Sequence, residues 1–204
     1  MEGNRDWDYP LMPPYDPPLS EHPFEAFSKA EAQSYLDWYV GQSDERIRVL
    51  KACCRETAAT EIAFDGTPES LKGIWAWFEE QITIRQKTEE EMQAELRGRP
   101  AWMQKEIRKQ TWVMSTRTLA MIVDLSFYFA EVFMRNNPSI HWGFFTKPKN
   151  LASLNRPVLV GFVKNMDLDP RRILSVCSQR SVEEKDPDRL FKLYQIWTTY
   201  IAVH

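Results

Sequence analysis

Five polar residues lie on one face of a strongly apolar segment in the middle of the chain. Arg117, Asp124 and Glu131 are seven residues apart, so they lie nearly in line on a helix, and Tyr128 and Arg135 fall close to the same line. Ionisable groups on so apolar a helix are either paired inside the protein or line a cleft. We call this set the polar stripe. Its carboxylates and tyrosine are residue types that could carry out general acid–base chemistry or hold a divalent cation.

The spacing of the two acids limits that chemistry. At 1.5 Å per residue, Asp124 and Glu131 are about 10 Å apart along the helix axis, too far to share one metal without other ligands. The sequence therefore favours a buried network of salt bridges and hydrogen bonds, with Arg117 and Arg135 at its two ends and Tyr128 between them. A binding cleft and a catalytic pair remain as alternatives. No metal site or cofactor is expected.

A second candidate follows the polar stripe. His141, Trp142, Phe144 and Phe145 alternate with period two, which places His141 and Trp142 on opposite faces of a strand. Gly143 inside this strand indicates a close approach of another part of the chain. Packing in the core is the favoured interpretation. An aromatic face beside a polar, lysine-containing loop is also typical of an interaction surface.

The surrounding elements are mainly helical. Capping residues and apolar spacing predict helices starting at Ser28, Ser43 and Thr67, a long helix from Thr116, and a last helix after Asp186. The charged segment 87–110 divides at Gly98-Arg99-Pro100 into two short exposed helices, and Thr60–Phe64 is a candidate short strand.

Beyond Pro138 the pattern changes to that of strands. The segments IHWGFFT, RPVLVGFV and RILSVCSQ (140–146, 156–163 and 172–179) are short and rich in β-branched and aromatic residues. They predict an antiparallel meander. The expected fold is α+β and mainly α, with about six or seven helices packed on a small three-stranded antiparallel sheet.

The first 23 residues differ from the rest. Six prolines among tyrosines and leucines suit an extended polyproline II conformation and exclude a helix. We expect a proline-rich arm (1–23), with residues 9–23 ordered against a single α+β domain (24–204). The alternative is that this arm is a ligand for a proline-recognising domain.

Charge and cysteine content narrow the class of protein. The net charge is −3, and the basic residues are interleaved with acids, so no nucleic-acid footprint is expected. Asp124 and Glu131 interrupt the most apolar segment, so no membrane span is expected. The first residues lack the pattern of a secretory signal. Three cysteines without a disulfide or metal-binding spacing favour a reducing cytoplasm.

Several stretches carry a resemblance. After a proline-rich start come TPESLKGIWAWF, AEVFMRNNPSIHWGFFTKPK, RPVLVGF and LYQIW, and in this order they resemble uncharacterised soluble bacterial proteins. The resemblance implies no activity. Some small bacterial proteins of this helix-plus-sheet kind resemble immunity or antitoxin partners.

Two functions follow as hypotheses. The first is a non-enzymatic cytoplasmic protein that binds another protein, with an immunity-type inhibitor as one form. The alternative is an enzyme of unrecognised type that uses Asp124, Glu131 and Tyr128 in a cleft. Exposure of the polar stripe to solvent separates the two.

Overall fold

The computed structural model describes residues 9–201, which form a mainly helical structure with four short strands. Mainly helical α+β architecture was predicted and is confirmed. The helices are α1 (Lys29–Gly41), α2 (Ser43–Thr57), α3 (Ser70–Gln81), α4 (Glu89–Leu96), α5 (Ala101–Ile107), α6 (Thr116–Asn136), α7 (Pro170–Glu183) and α8 (Arg189–Thr198). The strands are β1 (Ile84–Gln86), β2 (Trp112–Met114), β3 (His141–Gly143) and β4 (Val158–Val160).

Helix α6 forms the centre of the core. The Ser115 hydroxyl caps its first turn by accepting the amide N–H of Thr118 at 3.1 Å. Almost every residue from Met121 to Phe133 is buried, and α2 and α7 are its main neighbours. Because a helix apolar on nearly all sides must be covered on all sides, further helices contact it as well: α1 through Tyr39, α3 through Ser70 and α8 through Tyr194.

The strands form two separate antiparallel pairs. β1 pairs with β2, with Arg85 opposite Val113, and β3 pairs with β4, with Trp142 opposite Leu159. The other edge of β4 is bridged by Leu168, whose N–H and C=O both bond to Leu159 at 3.0 and 2.8 Å.

The predicted three-stranded sheet was therefore wrong. Residues 172–179, expected to be its third strand, lie in α7. Asp169 caps this helix by accepting the N–H of Arg172 at 2.9 Å, and Pro170 occupies its first position, which suits a helix start. The buried residues Leu174, Cys177, Ser178 and Ser181 follow helical spacing. The β-branched residues Ile173 and Val176 are typical of a strand, but the cap at Asp169 and Pro170 starts a helix here.

Residues 84–114 leave the core and return to it, and we call them the excursion. They contain β1, α4, α5 and β2, which include the two predicted short helices. At its base the Thr83 and Ser115 hydroxyls are 2.6 Å apart, and the Ser115 N–H donates to the Thr83 carbonyl at 2.9 Å. The β1–β2 pair was not predicted, because a three-residue strand is too short to show a pattern.

The described part of the proline-rich arm packs on the domain. Between residues 9 and 23 it contains no helix or strand, and Tyr9 is buried. The Tyr15 ring packs on Tyr35 and Trp38, with ring centroids 4.8 and 5.0 Å apart. The arm residues before Tyr9 lie outside the described residues, and the division into an arm and one domain stays a prediction.

Candidate functional site

Asp124 of the polar stripe is paired with a residue of another helix. Arg46 of α2 donates from Nε to Oδ1 at 2.7 Å and from Nη2 to Oδ2 at 2.8 Å. The exposed fraction of the two side chains is 3% for Arg46 and 0% for Asp124. A two-point arginine–carboxylate bond of this kind fixes the geometry of both partners. It joins α2 to α6 inside the core.

The proline-rich arm completes this cluster. The Tyr9 hydroxyl donates a short hydrogen bond to Oδ2 of Asp124, and Arg46 Nη2 donates to the Pro10 carbonyl oxygen at 2.5 Å. We call Tyr9, Arg46 and Asp124 the buried triad. Burial raises the pKa of Asp124 to about 6, against the bonds from Arg46 and Tyr9, which lower it. Burial and the neighbouring carboxylate also raise the pKa of Tyr9.

The other stripe residues make separate contacts. The Tyr128 hydroxyl lies 2.7 Å from Ser70 Oγ and accepts the Gly66 N–H at 3.2 Å. Each arginine has a neutral oxygen as its acceptor: Arg117 donates to Gln81 Oε1 at 3.0 Å, and Arg135 donates to the Asp65 carbonyl oxygen at 2.6 Å. Glu131 is half-buried and has no hydrogen bond or ion pair with residues 9–201.

The expected network within the stripe is thus corrected. Neither Arg117 nor Arg135 pairs with Asp124, and the partner Arg46 was missed. Its sequence signal is a basic residue in register with buried Leu50 and Cys53 of α2, at i+4 and i+7. An arginine on an apolar helix face indicates a buried acid elsewhere, although the sequence cannot say which.

The aromatic strand has one buried side and one open side. The Trp142 ring packs on Tyr39 and Phe127, with centroid distances of 5.7 and 6.3 Å. His141 is exposed, and its Nδ1 lies 3.1 Å from the Ser139 carbonyl oxygen. The close approach expected at Gly143 is present: a Cβ there would lie 2.9 Å from Val160 Cγ2.

A broad depression of about 770 Å³ opens beside this strand. It lies between α1, the β3 strand with the residues after it, and the turn that follows β4. Its wall is aromatic, with Trp142, Phe144 and Phe145 half-buried. Lys29, His141 and Lys147 are its only ionisable lining residues in the described part of the chain. We call it the aromatic depression.

Gly161 sets the shape of one corner of the depression. Its φ is +107°, and a Cβ at this position would lie 2.1 Å from the Ser139 carbonyl oxygen. A side chain is excluded both by this backbone conformation and by the contact. The turn after β4 therefore crosses directly over the residues before β3.

Two further features are absent from residues 9–201. None of the helices there has the length and apolar character needed to cross a membrane. No three His, Cys, Asp or Glu side chains of that range are grouped in a way that could hold a metal ion.

Comparison with known proteins gave no relative. No protein-family model, curated protein or solved structure matches this chain.

Proposed function

We propose that this chain is a non-enzymatic protein-binding protein that uses the aromatic depression to hold a segment of its partner. The observation that supports this most is the composition of the wall and rim. Trp142, Phe144 and Phe145 are half-buried, so they still offer aromatic surface, and the ionisable groups beside them are basic or histidine.

This composition favours an acidic segment with an apolar anchor. Aromatic surface gains free energy when an apolar side chain of a partner covers it, and binding energy concentrates in such residues. Lys29 and Lys147 would attract carboxylates on the partner and speed association. Phe145 is the wall residue whose side chain can most easily change conformation on binding, because it is half-buried and is not packed against the main core cluster.

The enzymatic alternative needs the polar stripe to line a cleft. Asp124 and Tyr128 are each 0% exposed, and both are hydrogen-bonded inside the protein. Of the two acids and one phenol of that hypothesis, only Glu131 is partly exposed. A pair of groups that must reach a substrate is not favoured by this arrangement, so we place binding before catalysis.

The proposal also covers the cellular compartment in which the chain acts and the kind of binding protein that it is. A cytoplasmic location rests on the three cysteines, which have neither disulfide nor metal-binding spacing. An immunity-type inhibitor is the form that the sequence resemblance suggests. Its partner would then be a protein carrying the acidic segment described above.

Affinity capture from an extract of the source cells tests the proposal. The parent chain is compared with a K29E/K147E variant, whose changes lie at the rim, and with a K105E/R108E variant. The second pair changes net charge equally but lies on or next to α5, away from the depression. We expect a protein that the parent and the α5 variant retain and the rim variant loses.

A Phe145→Ser variant separates charge from apolar contact. It should also lose the retained protein, while its unfolding midpoint in urea stays near that of the parent. If every retained protein binds all four chains equally, the aromatic depression is not the binding surface and the proposal fails.

A further inference from the structure

Residues 59–64 lie between α2 and α3, bend at Ala59 and Thr60, and have no strand partner among the described residues. No backbone N–H or C=O of these six residues forms a hydrogen bond with another residue in the described range 9–201. Ala59, Thr60, Glu61 and Ala63 are exposed. The short strand that the sequence suggested at Thr60–Phe64 is not formed, because these residues have no strand partner in the described part of the chain.

The segment is nevertheless held in place. Its inward residues are Ile62 and Phe64, which are half-buried and packed against the core. Ile62 Cγ2 lies 3.8 Å from the position of a Cβ on Gly73, and the Phe64 ring packs on Tyr128 with centroids 5.0 Å apart. Alternate residues are therefore anchored while Glu61 and Ala63 face out, as in an edge strand.

A groove of about 640 Å³ lies along one side of the segment, between it and α3. Small residues line its floor on the helix, at Gly73 and Ala76, with Trp77 beside them. The small floor leaves room for a second chain to lie beside the first. We call this the α3 groove.

Within residues 9–201, all charged residues lining the α3 groove are acidic: Glu61, Asp65, Glu69 and Glu80. Glu80 is already paired with Lys185 at 2.7 Å, and Asp65 accepts from Thr67. The carboxylates of Glu61 and Glu69 have no hydrogen bond or ion pair with the residues that the structure describes. These two carboxylates could therefore form ion pairs with a binding partner.

We propose that the α3 groove is a strand-addition site for an extended, basic segment of a partner protein. The segment pairs its backbone with the unpaired groups of residues 60–64, and its lysine or arginine side chains reach Glu61 and Glu69. Backbone pairing with an exposed edge is a general mode of peptide recognition, in which main-chain hydrogen bonds give affinity and side-chain contacts give specificity.

This site is independent of the aromatic depression. The two lie on different elements, and the chemistry of their occupants is opposite: basic for the α3 groove, acidic for the aromatic depression. The cavity of about 580 Å³ on the other side of the segment is lined by Lys51 and Arg55 as well as by Glu61, so it suits a basic chain less well.

Selection from a random heptapeptide phage library on the immobilised full chain tests the proposal. Seven extended residues span roughly 23 Å, longer than the unpaired segment. Enriched sequences should alternate lysine or arginine with β-branched residues. The best of them is synthesised twice, once unmodified and once N-methylated at alternate amides, and its dissociation constant is measured by fluorescence anisotropy.

Methylation removes donors from one edge of the peptide and should weaken binding by about tenfold or more, since one or two backbone bonds are lost. An E61K/E69K variant should weaken the unmodified peptide by a similar factor. An E56K/E183K variant, with the same change of charge at exposed positions outside the groove, should bind like the parent.

Hydrogen exchange locates the contact. The amides of residues 60–64 should exchange fast in the free chain and slow when the peptide is bound. Three results would overturn the proposal: no enrichment over blank resin, equal affinity of the peptide for parent and E61K/E69K chains, or protection confined to another part of the chain.

Discussion

The hydroxyl of Tyr9 donates to the carboxylate of Asp124, although 115 residues separate them in the chain. Arg46 bonds the same carboxylate and also the carbonyl of Pro10, so the buried triad connects the arm, α2 and α6 at one point. Because Arg46 and Asp124 each bond to both of the other elements, a change in either acts on both the fold and the arm.

Removal of the Tyr9 hydroxyl should loosen the arm. Tyr9→Phe takes one donor from a buried carboxylate, and we expect a loss of about 2 kcal/mol in unfolding free energy together with faster proteolysis within residues 9–23. Urea melts and mass spectrometry of a limited digest measure the two effects. Tyr15→Phe is the control, because the Tyr15 hydroxyl bonds to no residue in the described range.

Equal digestion of the two phenylalanine variants and the parent would show that the arm is held by its apolar packing alone. Rapid cleavage throughout residues 9–23 of the parent would show that the arm is not held at all.

The two acids of the polar stripe should differ in their importance for stability. Asp124→Ala leaves the Arg46 guanidinium buried without its carboxylate, and we expect a loss of about 3–5 kcal/mol. Glu131→Ala removes a half-buried carboxylate without a described partner and should change stability by roughly 0.5 kcal/mol or less. Urea midpoints of both variants and the parent decide this. Similar midpoints for the two variants would contradict the assignment of the ion pair as the stabilising contact.

The stability of the protein should depend on pH through Asp124. Its pKa is raised from 3.8 to about 6, so between these values the folded state binds a proton that the unfolded state does not. Folding is therefore favoured by this group at the acid end of the window, and that contribution is lost as the pH rises through about 6. The Asp124→Asn variant lacks this pH-dependent contribution to stability.

Urea unfolding of the parent and the Asp124→Asn variant across this window measures the difference. The free energy of unfolding of the parent, relative to the variant, should decrease as the pH rises. A difference that is constant, or that increases, would mean that the bonds from Arg46 and Tyr9 outweigh burial in setting the pKa.

The cysteines should react slowly in the native protein. Cys53, Cys54 and Cys177 are free and buried, and burial raises the pKa of each, that of Cys177 to about 11. At slightly alkaline pH almost no reactive thiolate is present. A thiol-specific disulfide reagent should label all three quickly in urea and slowly without it. Fast labelling of Cys177 in the folded chain would restore a nucleophilic role for it.

Two glycines should respond in opposite ways to the same substitution. Gly161→Ala places a Cβ 2.1 Å from the Ser139 carbonyl oxygen at a φ of +107°, so we expect a loss of about 3 kcal/mol in unfolding free energy. Gly41→Ala, near the end of α1 with no heavy atom within 4 Å of the new Cβ, should raise stability by up to about 1 kcal/mol. Thermal or urea melts measure both, and a tolerated Gly161→Ala would mean that the turn can move.

The sequence predicted elements whose signals are local. Ser28 with Glu31 forms the expected capping box, and the apolar run after Ser115 forms the expected long buried helix. The sequence did not predict the features that depend on contacts between residues far apart in the chain. The strand pattern at Ile173–Cys177 lies in a helix because Asp169 and Pro170 start one there, and its apolar face packs on α6. Arg46 could be recognised as unusual but not matched to Asp124, since nothing in the sequence encodes that distance.

The base of the excursion has a consequence for protein engineering. Residues 83 and 115 approach to hydrogen-bond distance at Thr83 and Ser115, so the chain that enters the excursion and the chain that leaves it are already adjacent. A turn of two or three residues could therefore replace segment 84–114 with little displacement of α3 or α6. By the same geometry, the connection between α4 and α5 at Gly98 is a suitable point for inserting a fluorescent reporter domain.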